Sequence, residues 1–102
     1  MNQFDENNKR IGYWEDYYTN GNIWSKGNYT NGKKIGHWEY YNSNGKISYK
    51  GNHINDKLNG YWEEYFTNGN IWSKGNYINN KQSGYWEEYY KNGKLIYKKF
   101  FI

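Results

Sequence analysis

Glutamate and lysine recur through this chain at a constant spacing, and a paired carboxylate and amine could in principle exchange protons. The repeated pairs are Glu15–Lys26, Glu39–Lys50, Glu63–Lys74 and Glu87–Lys98. General acid–base catalysis needs groups whose pKa values are shifted by burial or by a close neighbour in a cleft. A pair that repeats along a solvated strand offers no such cleft. The sequence therefore predicts a surface charge ladder and not an enzyme.

Residues that could bind a metal are scarce. His37 and His53 each stand where neighbouring copies of the pattern have tyrosine, and the chain has no cysteine. Two lone histidines without carboxylate or thiolate partners make a poor metal site. No phosphate-binding glycine loop or nucleophile–base motif is present in the sequence. We therefore predict no catalytic residue, no metal site and no cofactor.

Aromatic residues interleaved with lysines could form a platform that stacks single-stranded nucleic acid. Tyr, Trp and Phe make up 24% of the 102 residues, and the formal net charge is +4. Lysines cluster within residues 91–99, but acidic pairs at 63–64 and 87–88 lie among the same segments. Nucleic-acid binding is therefore an alternative that ranks below protein binding.

A thin structure must position these side chains, since the hydrophobic fraction is only 35%. Each aromatic ring can bury roughly 150–250 Å², and a stack whose units contact only their neighbours needs no deep core. The first 30 residues lack the apolar run of a signal peptide, and no apolar stretch reaches the roughly 18 residues of a membrane helix. The sequence predicts a cytoplasmic protein without membrane association.

A 24-residue repeat organises the chain. The segment 12–29 returns as 60–77 with two changes, and looser copies begin at Gly36 and Gly84. A fixed period of this size indicates a repeat architecture. We predict one domain, 1–102, made of a partial unit 1–11, repeats 12–35, 36–59 and 60–83, and a partial capping unit 84–102.

Two sets of turn signals alternate along the repeats. Asn-Gly pairs, which tolerate the positive φ of both central residues in a type I′ turn, form the first set at 20–21, 44–45, 68–69 and 92–93. The second set lies at 31–32, 55–56 and 79–80. The segments between are rich in Tyr, Trp and Ile, which favours strands. We predict an all-β fold, a single-layer elongated antiparallel meander of about nine strands.

A two-residue loop at each Asn-Gly pair fixes the register of the predicted hairpins. Glu15 then faces Lys26, and Trp14 faces Gly27, as do their equivalents in later units. Opposite charges across strands contribute about 0.2–1 kcal/mol, and a ring over a strand glycine compensates for the missing side chain. Both pairings support the same register.

Two positions fit this register poorly. Asp16 is predicted to lie on the same buried face as the tryptophans, a conflict that a bulge nearby would remove. In the last unit Lys99 replaces the glycine, which leaves Trp86 without its predicted partner.

The register also predicts where a partner would bind. Trp24 and Trp72 are expected on the exposed face, directly opposite Tyr17 and Tyr65. Exposed aromatic rings are typical of binding hot spots, although these rings could instead stack on the tyrosines to stiffen the sheet. The predicted partner-binding residues are Trp24, Trp72, Tyr17, Tyr65, Tyr13, Tyr61, Lys26 and Lys74.

The spacing Gly27-x-Tyr29-x-x-Gly32-Lys33-x-x-Gly36 resembles the MORN repeat. The fuller pattern Gly-x-Trp-x-x-Tyr-x-x-Asn-Gly-x-Ile over 12–102 resembles the bacterial MORN variant of YwqK-type antitoxin or immunity proteins. The resemblance implies antiparallel hairpins in one elongated, curved sheet that mainly binds proteins. Tryptophan stands where eukaryotic repeats often have a second glycine, at Trp38, Trp62 and Trp86, so a lipid-binding role is not carried over.

This resemblance, with the lack of any effector segment beside the repeats, predicts a non-enzymatic inhibitor. We expect an antitoxin, immunity or anti-defence protein that blocks a nuclease or another toxic enzyme by occupying its surface. The alternatives are a binder of single-stranded nucleic acid and a passive scaffold or oligomerisation module. The open strand edges allow a monomer or an edge-to-edge dimer.

Overall fold

A computed structural model describes residues 2–102; Met1, the first residue of the predicted partial unit 1–11, lies outside the described part. The strands are β1 (Gln3–Phe4), β2 (Arg10–Tyr17), β3 (Ile23–Thr30), β4 (Lys33–Tyr41), β5 (Ile47–Ile54), β6 (Lys57–Tyr65), β7 (Ile71–Ile78), β8 (Lys81–Tyr89) and β9 (Leu95–Phe101).

All nine strands form one antiparallel sheet in the order of the sequence, from β1 to β9. The molecule measures 48 × 35 × 13 Å, so its thinnest dimension holds a single sheet with its side chains. The predicted all-β, single-layer meander of about nine strands is confirmed. Within residues 2–102 no helical segment could cross a bilayer.

The second set of turns has the predicted two-residue geometry. Thr30 pairs directly with Lys33, and the two residues between them, Asn31 and Gly32, both have positive φ, at 53° and 78°. The equivalent turns at 55–56 and 79–80 share this geometry. These asparagines therefore occupy the left-handed region that type I′ turns require.

The first set of turns differs from the prediction. Tyr18 N–H donates to the Asn22 carbonyl and Gly21 N–H donates to the Tyr18 carbonyl, which closes a three-residue loop. Only the glycine of the Asn20-Gly21 pair has positive φ, at 91°. A type I turn followed by a left-handed glycine gives this loop. The predicted two-residue loop is therefore wrong at this set of turns.

A bulge restores the predicted register beyond each of these loops. Tyr17 pairs with Ile23 whereas Asp16 pairs with Ser25, so Trp24 has no partner across the hairpin. The same shift lies between Glu64 and Tyr65 in the third unit. From the bulge onwards Glu15 pairs with Lys26, and the predicted pairing of the charged residues in the backbone register is confirmed.

The core is a row of aromatic rings along one side of the sheet, which we call the aromatic face. Trp14, Tyr29 and Trp38 are buried, and their rings meet edge to face at centroid distances of 6.0 and 5.0 Å. Such contacts contribute about 0.5–1.5 kcal/mol beyond burial. Farther along the row, the buried Trp62 and Trp86 flank Tyr77 in the same way.

Trp38, Trp62 and Trp86 each cover the glycine of the preceding hairpin rather than that of their own. Trp38 lies over Gly27, and a Cβ added to that glycine would overlap the indole. In the last unit Trp86 lies over Gly75 in the same way. Trp86 does pair with Lys99 across its own hairpin, as predicted, but its ring covers Gly75 and so does not lack a glycine.

The acid at the fifth position of the unit does lie on the aromatic face. Asp16 accepts a hydrogen bond from Arg10, whose guanidinium stacks on the buried Trp14. The bulge therefore does not carry the acid to the other face. A neighbouring cation satisfies the carboxylate in the first unit instead.

Candidate functional site

The face opposite the aromatic row carries alternating glutamate and lysine side chains, and we call it the ladder face. Lys26 pairs with Glu39 at 3.5 Å, and Lys50 pairs with Glu63 at 3.7 Å. These ion pairs join neighbouring hairpins, so the predicted side-chain pairing within each hairpin is wrong. The Lys26 ammonium also lies 5.6 Å from the centre of the Tyr41 ring, which draws it toward the next hairpin.

The ladder carboxylates accept hydrogen bonds from tyrosine hydroxyls of the same strand. Glu63 accepts a hydrogen bond of 2.7 Å from Tyr61 and one of 2.5 Å from Tyr65. Partial desolvation pushes the pKa of Glu63 upward, but these two hydrogen bonds and the nearby Lys50 outweigh it and lower that pKa. Hydrogen bonds from Tyr17 and Tyr13 likewise lower the pKa of Glu15. These hydrogen bonds therefore orient the ladder glutamates and favour their ionised form.

Six of the predicted binding residues lie on the ladder face, in two groups. Tyr13 and Lys26 line a shallow cleft of about 350 Å³, and Tyr61 and Lys74 line one of about 280 Å³. Burial and the hydrogen bond to Glu15 raise the pKa of Tyr13 to about 12. The other two are Tyr17 and Tyr65, which hold the adjacent carboxylates.

Trp24 and Trp72 are separate from those six residues. Their predicted partners, Tyr17 and Tyr65, pair instead with Ile23 and Ile71 because of the bulge. Trp72 stacks on Phe66, at 5.7 Å between ring centres and 29° between planes. The predicted placement of both tryptophans opposite these tyrosines is therefore wrong. Both indoles remain exposed, to 48% for Trp24 and 44% for Trp72.

Trp72 forms part of a mainly apolar cleft at the rim of the sheet, which we call the loop cleft. The cleft has a volume of about 540 Å³ and is lined by Phe66, Trp72, Tyr90 and Ile96, together with Tyr89, Lys91 and Asn92. Pockets of about 300–1,000 Å³ with aromatic walls are typical binding sites. Tyr90 is 56% exposed and Ile96 is 43% exposed, so the apolar surface is open to solvent.

Two asparagine side chains bond to the backbone of Lys91, one of the residues that line the loop cleft. Asn68 and Asn70 both donate through Nδ2 to the Lys91 carbonyl, at 3.0 and 2.7 Å. These bonds tie the third hairpin loop to the fourth. The lining residues of two neighbouring units are therefore held together as one surface.

Trp72 also borders a second cleft on the aromatic face, which we call the glutamate cleft. This cleft has a volume of about 180 Å³ and lies among Glu64, Ser73, Gln82, Trp86 and Glu88. The Trp62 indole donates to Glu64 Oε1 at 3.1 Å and so orients that carboxylate. Neither Glu64 nor Glu88 belongs to an ion pair within residues 2–102. The glutamate cleft therefore combines aromatic walls with two uncompensated acids.

The two histidines have different environments. His53 is buried and its Nε2 lies 3.0 Å from the Tyr40 hydroxyl, whereas His37 is exposed and its Nε2 lies 3.2 Å from Glu39 Oε2. Burial lowers the pKa of His53, and the Lys34 ammonium lowers it further. His53 therefore packs as a neutral core residue, in keeping with the prediction that it substitutes for tyrosine.

Several lining residues were not among the predicted site residues. Phe66, Tyr90 and Ile96 occupy positions that hold Tyr18, Asn42 and Ser48 in the first two units. The change from polar to apolar side chains between copies was the available signal.

The sequence was compared with known families and proteins. The family described as MORN repeat variant matches residues 10–31, 34–55, 58–79 and 82–102. A search of curated proteins found no match. The match confirms the resemblance to MORN repeats, whereas the narrower resemblance to antitoxin or immunity proteins stays a prediction.

Proposed function

Since this chain belongs to the MORN repeat variant family, whose repeats are generally binding modules and not typically catalysts, we propose that it is a non-catalytic module that binds a protein partner. The partner contacts the C-terminal half, at the loop cleft around Trp72. In the narrower form of the proposal, the module is an inhibitor of antitoxin, immunity or anti-defence type. It occupies the surface of a nuclease or another toxic enzyme.

The observation that carries this proposal is the loop cleft itself. The exposed Trp72 indole stacks on Phe66 beside the exposed Tyr90 and Ile96. Hydrogen bonds to the Lys91 carbonyl hold the two loops that carry Phe66 and Tyr90 together. Tryptophan and tyrosine in such settings supply much of the binding energy at protein interfaces. Trp24, the equivalent residue two units earlier, has Asn42 and Ser48 where Trp72 has Tyr90 and Ile96.

The ladder face makes a smaller contribution in this proposal. Lys26 and Lys74 are each engaged with a glutamate, at 3.5 and 3.6 Å, so a nucleic-acid backbone would have to displace those carboxylates. Tyr61 and Tyr65 are proposed as rim contacts, whereas Tyr13 and Tyr17 lie in the N-terminal half, outside the proposed interface. These features favour a protein partner over single-stranded nucleic acid.

The proposal is tested by capture from lysate of the source cells with the tagged protein, after nuclease treatment, followed by mass spectrometry. Three baits are compared: the wild type, Trp72→Ala and, as the matched control, Trp24→Ala. We expect one dominant protein to be captured by the wild type and by Trp24→Ala. Capture by Trp72→Ala should fall at least tenfold, because truncating a hot-spot residue costs about 2 kcal/mol or more.

The folded state of both variants is checked by circular dichroism before capture. Equal loss of the partner in both variants, or retention in both, would contradict the assignment of the C-terminal half. Recovery that disappears on nuclease treatment, with affinity that falls steeply between about 50 and 200 mM salt, would favour nucleic acid. Light scattering that shows self-association without a partner would favour the scaffold.

A further inference from the structure

The first repeat contains a cation site that the chain fills with its own side chain. The Arg10 guanidinium lies 4.1 Å from the centre of the Trp14 ring and 5.3 Å from that of Tyr29. Its Nη1 lies 3.2 Å from Asp16 Oδ2 and 3.2 Å from the Tyr29 hydroxyl. Two aromatic rings and a carboxylate therefore surround one guanidinium. This combination suits arginine, which stacks on aromatic rings and bonds carboxylates through a planar group.

The second repeat fills the equivalent position with an amine. The Lys34 ammonium lies 5.0 Å from the Trp38 ring and 4.9 Å from the Tyr40 ring, and it donates to the Tyr40 hydroxyl at 2.9 Å. Tyrosine at position 40 replaces the acid, so this cation sits among rings without a carboxylate. Two successive units thus place a positive charge on the tryptophan of the aromatic face.

The last repeat keeps the tryptophan and the acid of this site but has no cation at the position equivalent to Arg10; Lys99, on the neighbouring strand, places its ammonium 5.1 Å from the centre of the Phe101 ring. Three repeat periods after the first unit, Trp86 corresponds to Trp14 and Glu88 to Asp16, while Gln82 stands in the place of Arg10. Trp86 is buried, and the glutamate cleft of about 180 Å³ lies between these side chains. That volume is below the roughly 300–1,000 Å³ of drug-sized sites and suits a single side chain.

The glutamate cleft is more acidic than its filled counterpart. Glu64 from the preceding hairpin adds a second carboxylate, and Trp62 fixes its orientation. Both acids lie in the part of the chain that the structure describes without a cationic partner. A guanidinium entering the cleft could bond a carboxylate in bidentate fashion while stacking on an indole.

We propose that the glutamate cleft binds an arginine side chain of the protein partner, in the way that Arg10 occupies the first repeat. This inference rests on the proposed function for the source of the arginine. The cleft and the loop cleft share Trp72 as a wall. An arginine in the glutamate cleft and apolar residues in the loop cleft would therefore belong to one continuous interface.

The test uses L-argininamide as the probe and needs no partner. Its addition is followed by the indole N–H signals of ¹⁵N-labelled protein; Trp86 Nε1 donates to the Asn76 carbonyl at 2.9 Å and reports on the cleft. We expect a saturable shift of the Trp86 signal with little change at Trp14. Lysinamide should bind more weakly, because an ammonium lacks the planar fork of donors.

Three variants make the test specific. Gln82→Arg should fill the cleft from within and abolish the Trp86 shift. Glu88→Gln should weaken argininamide binding about tenfold, because a neutral amide loses the charge-assisted hydrogen bonds that a carboxylate makes to a guanidinium. Arg10→Gln should open the equivalent site and make the Trp14 signal respond, which a non-specific effect of the probe would not do.

The outcomes separate this proposal from the proposed function. An unchanged Trp86 signal in the wild type, or a shift that persists in Gln82→Arg, would overturn the arginine site. The shifts are measured without partner, so an error in the proposed function would leave them as expected. A probe that binds while the captured partner is lost equally from Trp72→Ala and Trp24→Ala would uphold the site and contradict the assignment of the partner to the C-terminal half.

Discussion

The two halves of this sheet are built from the same repeat, yet their surfaces differ. In the N-terminal half the aromatic face is filled: Arg10 covers Trp14, and Lys34 covers Trp38. In the C-terminal half the corresponding side chains are Leu58 and Gln82, and a cleft lies beside Trp86. We therefore call the N-terminal half the closed half and the C-terminal half the open half, and the open half is the one proposed to bind the partner.

The contrast extends to the rim of the sheet. Both halves carry an exposed tryptophan that follows a three-residue loop, Trp24 in one and Trp72 in the other. Tyr90 lines the loop cleft with Trp72, whereas the equivalent position two units earlier holds Asn42. A few substitutions within a constant backbone thus produce a polar rim in one half and an apolar cleft in the other. Repeat proteins can vary one surface in this way because each unit contacts only its neighbours.

Placing a methyl group beneath two equivalent tryptophans would test whether the halves differ in packing. Gly27→Ala pushes against Trp38, which is fully buried between Tyr29 and Tyr40. Gly75→Ala pushes against Trp86, which borders the glutamate cleft. Overpacking costs about 1–3 kcal/mol, and we expect Gly27→Ala near the upper end and Gly75→Ala near the lower. Urea denaturation of each variant measures the difference.

Neither glycine has positive φ, so the backbone tolerates alanine equally at both and each variant is the control for the other. A larger decrease in the free energy of unfolding for Gly75→Ala than for Gly27→Ala would mean that Trp86 has no room to move. Such a result would remove the structural difference on which the comparison rests.

A smaller effect is expected from pH, and it belongs to the closed half alone. Burial lowers the pKa of His53 below its ordinary value of 6.5, with Lys34 adding to the effect. As pH falls below about 6.5, the unfolded chain binds a proton that the folded chain resists, so the free energy of unfolding should decrease. His53→Tyr, which introduces the residue found at positions 29 and 77, should remove this dependence.

Chemical denaturation between pH 7.5 and pH 5 would measure how the free energy of unfolding depends on His53. The ladder glutamates titrate lower: hydrogen bonds from tyrosines depress the pKa of Glu15, and that of Glu39 is depressed by Tyr41. Their contribution is present above about pH 4.5, the ordinary glutamate value, and is lost as the pH falls through the depressed pKa. An unchanged slope in His53→Tyr above pH 5 would show that His53 is not the group responsible.

The repeat period and the charge register predicted most of the fold. Glu15 opposite Lys26 and the second set of turns were read correctly because each depends on local chemistry within one hairpin. The length of the first set of loops was predicted wrongly, because an Asn-Gly pair suits both a two-residue loop and a three-residue loop with a left-handed glycine. The three-residue loop is one residue longer than predicted, and the bulge at Trp24 compensates for that residue. Without the bulge every later side chain of the strand would point to the opposite face, since side chains alternate between faces.

The clefts could not be predicted in the same way. Glu64 and Ser73 are partners within one hairpin, in the predicted register, but Ser73 pairs with Glu88 only because the register of β7 and β8 shifts between Lys74 and Asn76. The lean of each tryptophan toward the preceding hairpin also decided which glycine it covers. Such contacts join neighbouring units, whereas the sequence pattern describes each unit by itself.

Hydrogen exchange of the complex with the captured partner tests the central claim most directly. We predict that the amides of the loops 66–70 and 90–94 and of strands β7–β9 become protected, while the equivalent loops 18–22 and 42–46 exchange as in the free protein. Protection confined to the N-terminal loops, or spread evenly along the ladder face, would contradict the division of the sheet into a closed half and a binding half.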